Sequence, residues 1–183
     1  MSVFKKYLLP LFCCLVLFQS CSDEQDFNQF DDLDIIPTLE AALLYVEVPE
    51  DIINQGVGIN FYSQVFNFDA FEEPFFSDNV LDGTLSYQVE NTTSKPIDVI
   101  VEFLDVSGNV LDVESFTLDP APTAVLNREI TYGTPSGRSI DIIRNTSAIR
   151  VTGINLGDTT SVSGLPEPSV FLRSSAQFRL RLK

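Results

Sequence analysis

Over residues 84–90 (TLSYQVE) apolar and polar side chains alternate: Leu85, Tyr87 and Val89 fall on one side of an extended chain, and Ser86, Gln88 and Glu90 on the other. A period of two marks a strand with one face on a core and one in water. The pattern recurs at 97–104 (IDVIVEFL), where Ile97, Val99, Val101 and Phe103 share a face, and the polar stretch 91–96 joins the two runs. Residues 107–109 (SGN) predict a hairpin loop into a further strand at 110–118. Strands are also predicted at 57–68, 123–132, 149–156 and 170–182, where β-branched and aromatic residues are frequent. Residues 39–48 (LEAALLYVEV) are apolar on both faces, which predicts a strand central in its sheet and stopped by Pro49. In the last run Phe178, Leu180 and Leu182 alternate with Arg179, Arg181 and Lys183. One face is thus buried, and the charged row is of the kind that protects an exposed sheet edge.

One helical signal interrupts the strands. Ser139 is placed to cap a short helix, Asp141 suits its first turn, and Ile140 and Ile143 share a face. About eight strands joined mainly by turns, with one short connecting helix, predict an all-β fold over residues 38–183. The expected form is an antiparallel β-sandwich of immunoglobulin-like or related Greek-key type. The chain contains no tryptophan, so the Cys…Trp…Cys hallmark of immunoglobulin domains is missing. The remaining strands are too acidic and too short for a membrane barrel.

The first twenty residues read differently. Lys5 and Lys6 precede an uncharged run from Tyr7 to Phe18, a targeting pattern too short to span a bilayer. Ser20-Cys21 after this Leu-rich run resembles a lipobox, with Leu17 at −4 and Phe18 at −3 where the strict pattern has leucine at −3. Ser22-Asp23-Glu24 resembles the acidic surface-export signal of Bacteroidota lipoproteins. The resemblance implies removal of residues 1–20, acylation of Cys21, and anchoring in outer-membrane lipid facing the cell exterior. Cysteine usage agrees with this. Cys13 and Cys14 fall in the removed segment, and acylation would consume the one remaining thiol. Residues 22–37 carry six acids and no base and read as a tether, about 20 Å long as a flexible coil. Asp31-Asp32-Leu33-Asp34 lacks the spacing of a calcium loop.

Charge narrows the partners. The chain has 11 basic and 26 acidic residues, and both basic residues of the removed segment are lysines, so the mature part is more acidic still. Nucleic acid is therefore not an expected partner. Between residues 21 and 127 the only base is Lys95, whereas Arg128, Arg138, Arg144, Arg150, Arg173, Arg179, Arg181 and Lys183 follow. Such halves attract, so the last strand is expected beside an acid-bearing strand.

Chemistry is restricted. The chain has no histidine, which removes imidazole bases, serine triads and histidine metal sites, and no cofactor is implied. Glu102, Asp105, Asp112 and Glu114 lie on adjoining strands of one hairpin and are the candidates for a carboxylate pair. The stretch 133–139 (GTPSGRS) has one residue too few for a phosphate loop and reads as a turn feeding the helix. Asp158-Thr159-Thr160 resembles a Bacteroidota O-glycosylation sequon, with Thr159 as the acceptor. Phe71, Phe75 and Phe76 sit in a segment broken by Pro74 and two glutamates. They either plug one end of the sandwich or form a partner loop. Together these features indicate a non-enzymatic accessory lipoprotein bound to another envelope protein. A surface glycan-binding module is the second reading, weakened by the lack of tryptophan.

Overall fold

Two four-stranded antiparallel sheets face each other in the computed structural model, which describes residues 33–121 and 125–182. One sheet runs in the order β1 (Thr38–Pro49), β8 (Ser169–Leu180), β3 (Val80–Asn91), β6 (Leu126–Tyr132). The other runs β2 (Asn60–Asn67), β7 (Ala148–Asn155), β4 (Ile97–Leu104), β5 (Val110–Leu118). Consecutive strands lie in opposite sheets except β4 and β5, which pair as a hairpin. This is a Greek-key sandwich, as the alternation predicts. Within that class the strand order is that of a double-sheet jelly roll rather than of an immunoglobulin domain.

The alternating positions form the core. Leu85 and Val89 of β3, Ile97, Val101 and Phe103 of β4, Phe116 of β5 and Leu180 of β8 are all fully enclosed. Each such side chain contributes about 1.5–3 kcal/mol relative to exposure. In the β4–β5 loop, Gly108 takes a φ of +80°, a conformation that suits glycine. The connecting helix α4 (Ile140–Arg144) is capped as predicted, the Asp141 N–H donating to Ser139 Oγ at 3.2 Å. Three single-turn helices were not signalled: α1 (Glu50–Ile53), α2 (Asp69–Glu72) and α3 (Pro74–Ser77).

Two strand positions differ from expectation. β1 is an edge strand, and its register shifts between Ala42 and Leu44. Leu44, Val46 and Val48 of β1 are buried in the core and Leu43 packs partly against it, while Tyr45 is 60% exposed and donates its phenol to Glu47 at 2.7 Å. β8, by contrast, is an interior strand between β1 and β3. Its arginines do not guard an edge; they pair sideways, Arg173 with Glu90 at 3.3 Å and Arg179 with Asp82 at 2.8 Å. The expected juxtaposition with acid-bearing strands is therefore present, and the Arg179 hydrogen bond holds the Asp82 carboxyl below its usual range.

Strand direction gives the sandwich two distinct ends. Leu180 and Leu182 donate backbone N–H groups to the carbonyls of Pro37 and Ile35, so the approach to β1 and the exit from β8 lie together. α2, α3, α4 and the β4–β5 loop share this entry end. The β1–β2, β3–β4 and β7–β8 connections, the end of β5 and the start of β6 lie at the far end.

Candidate functional site

The far end is built by buried polar groups. Asn155, at the end of β7, is fully enclosed and donates its amide to the carbonyls of Gly56 and Asp158, both at 2.9 Å, while its Oδ1 accepts from Gly157 N–H. Gly58 N–H donates to the Asn155 carbonyl at 2.9 Å, and Asn54 reaches Ser161 Oγ at 2.6 Å. The 50–59 and 156–168 loops are thereby stitched side by side. Asn91 does the same for its neighbours, donating to the carbonyls of Lys95 and Asp119.

Two buried charges complete this end. Lys95 is enclosed, and its ammonium donates to the Asp158 carboxylate and to the Thr160 carbonyl. Glu50 directly follows Pro49, which turns the chain out of β1 and aims the carboxylate inward. Glu50 is only 2% exposed, and its Oε1 accepts from the N–H and hydroxyl of Ser94. Sequence reasoning missed both. The one available signal was the isolation of Lys95 among acids; Glu50 reads as part of a strand-ending turn.

Lys95 holds the Asp158 carboxyl down at about 2, against an ordinary 3.8. Because the folded value is the lower one, this pair stabilises the fold above about pH 4 and its contribution is lost as pH falls toward 2. Urea midpoints measured from pH 5 to pH 2 should therefore fall less steeply for Lys95→Met than for the natural chain. Equal slopes would mean that the ion pair does not couple to folding.

These tied loops present apolar side chains outward. Val57, Ile59, Leu156 and Leu165 are each about half exposed, and Val162 is 79% exposed. Thr159 is also exposed, between Asp158 and Thr160, which bond to each other.

At the entry end the three phenylalanines separate. Phe71 is buried, stacked on Phe68 at 5.5 Å and Phe76 at 5.2 Å and edge-on to Phe178 at 5.6 Å. Phe76 also meets Phe178 edge-on at 5.0 Å. Pro74 opens α3, and successive residues on a helix point about 100° apart, so Phe76 turns inward while Phe75 remains 61% exposed. Phe71 and Phe76 thus plug the end of the sandwich, and of the proposed partner loop only Phe75 faces solvent.

The hairpin carboxylates are occupied by other contacts. Glu102 accepts from Arg150 at 2.6 Å, across the β4–β7 pair. Asp105 closes its own loop, accepting from the N–H groups of Ser107 and Asn109; the Asn109 side chain holds its carboxyl below the usual range. Asp112 accepts from the Tyr132 phenol at 2.9 Å and from Arg138 at 2.5 Å. Glu114, buried, pairs with Arg128 at 2.9 Å and with Arg138. Burial, reinforced by Asp112, pushes the Tyr132 phenol well above its usual range and keeps it a donor. The hairpin therefore brings Asp112 and Glu114 together around a shared arginine instead of around a sugar bond. The 133–139 stretch is the turn that delivers this arginine: Gly133 has a φ of +76°, its N–H donates to the Arg138 carbonyl, and Arg138 N–H returns to Thr131.

Cys21, Ser22, Asp23 and Glu24 lie outside the described residues. Among the described residues no group of acidic side chains is arranged to hold a metal ion, and no helix is long and apolar enough to cross a membrane.

No protein-family model matches the chain, and no curated protein matches it. Among solved structures, it is similar to a pilus protein of Bacillus endospore appendages, at 9% identity and a TM-score of 0.35, over 81% of this chain and 91% of that one. It is similar also to the nodavirus particle of the prawn Macrobrachium rosenbergii, at 9% identity and a TM-score of 0.36, over 82% and 96%. Turnip yellow mosaic virus is a third, at 9% identity and 0.36, over 82% and 95%.

Proposed function

We propose that this chain is an outer-membrane lipoprotein acylated at Cys21, whose sandwich is a non-enzymatic accessory subunit for another envelope protein. The observation that supports this most is the polarity of the sandwich. The approach to β1 lies at one end, beside the aromatic plug, and the loops with outward apolar side chains are held at the opposite end of the sandwich. Aliphatic residues on hydrogen-bonded loops suit a protein interface, because little conformational entropy is lost on docking.

Two measurements test the two halves of this reading. Mass spectrometry of the native protein should find a chain starting at Cys21 with added acyl mass; an unmodified, soluble amino terminus would remove the anchor. Affinity purification from detergent-solubilised outer membranes should recover a stoichiometric partner. Val162→Asp with Leu165→Asp should cut that recovery at least tenfold without changing the melting temperature, and undiminished recovery would refute the far-end interface.

The glycan-binding reading draws on a different surface. Ser86 and Ser175 floor a shallow trough on the outer face of the β1-containing sheet, with Gln88, Asn127 and Arg173 along it. Binding on a glycan array that is lost in Gln88→Ala would favour that reading over docking.

A further inference from the structure

We propose that the groove beside α1 receives a guanidinium group, the arginine side chain of the docking partner. This rests on the docking reading and specifies its chemistry. The groove, about 560 Å³, lies between the end of β1, α1 and the 161–169 loop. Glu47, Asp51 and Glu167 line it together with Ser161 and Ser163, and among the described residues no basic side chain does. Glu167 is held there at a φ of +50°, in the left-handed region that glycine or asparagine adopts more readily.

The buried carboxylate of Glu50 makes this more than an acidic surface. Glu50 also lines the groove, and while Ser94 satisfies Oε1, Oε2 is buried with no hydrogen-bond partner. A carboxylate removed from water needs a donor on each oxygen, and an orphaned one calls for an explanation. Among the described residues none supplies that donor: Lys95, the buried cation of these loops, is committed to Asp158 and Thr160. A divalent ion is poorly served, since the acidic groups here are not disposed as metal ligands. A guanidinium fits the requirement. It carries five N–H donors in a planar fork matched to carboxylates, and it sheds water more easily than an ammonium does.

The test is titration of the full mature chain with Nα-acetyl-arginine amide, following the backbone amide resonances of Glu50 and Ser94. Saturable shifts are expected, weakened at least tenfold in Glu50→Gln and about threefold in Glu167→Gln, with none from Nα-acetyl-citrulline amide, which lacks the charge. Should Glu50→Gln fail to fold, the double variant Asp51→Asn, Glu167→Gln carries the same expectation of tenfold weakening. Absent shifts, equal binding of the citrulline compound, unchanged binding in the variants, or tighter binding of calcium chloride at these resonances would each overturn the proposal. None of these outcomes touches the recovery experiment with Val162 and Leu165, so the groove and the interface stand or fall separately.

Discussion

Phe178→Ala is expected to lower the stability of the sandwich by about 3–5 kcal/mol, the range for removing an enclosed phenylalanine ring. Phe178 lies on the interior strand β8 and touches both Phe71 and Phe76 edge-on, so the truncation opens a cavity and also loosens the plug. The ring lies directly over Gly83, where there is no room for a Cβ, and the site is therefore shaped around it. For a domain of this size the melting temperature should fall by roughly 10 °C. Thermal unfolding followed by circular dichroism measures this directly. A loss below about 1 kcal/mol would show that α2 and α3 collapse into the space, and that the plug is not a fixed part of the core.

Arg138→Ala is expected to cost about 2–3 kcal/mol. Removing one partner of a fully buried ion pair costs about 3–5 kcal/mol, but Arg138 is about a third exposed and water screens part of its interaction. The loss leaves Glu114 buried with Arg128 as its cation and leaves Asp112 with no cation, held by the Tyr132 phenol and the Val113 N–H. β5 and β6 belong to different sheets, so this cluster ties the two layers together along one side. Urea unfolding of Arg138→Ala, Glu114→Gln and the double variant should show non-additivity of about 1 kcal/mol or more. Additive costs would mean that the two side chains do not act as a unit.

The elements were largely legible because a half-buried strand writes its own pattern. β4 and β5 have the bounds that the alternation gives, and the Ser139 cap marked α4. Placement within the sheets was not legible. β1 looks central because Leu43 and Tyr45 are apolar as well as Leu44 and Val46, yet it is an edge strand: Leu43 sits at the register shift and packs partly against the core, and Tyr45 lies exposed, held by Glu47 and Arg173. β8 looks like an edge because its outer row is arginine, yet Glu90 and Asp82 on β3 supply the opposite charges. Both errors come from pairing between residues far apart in sequence, which local pattern does not carry. The far-end site was hidden for the same reason. Nothing near Pro49 indicates that Glu50 turns inward to Ser94, forty-four positions later.

The shared location of the approach to β1 and the exit from β8 also governs how the molecule bears load. β1 runs from the entry end to the far end, paired along its length with β8 from Thr38–Arg179 to Pro49–Ser169. Traction applied at Asp34, against resistance at the 156–168 loop that precedes β8, acts along the strand axis. The β1–β8 hydrogen bonds then share the strain simultaneously, as in shear, instead of parting one after another as in unzipping.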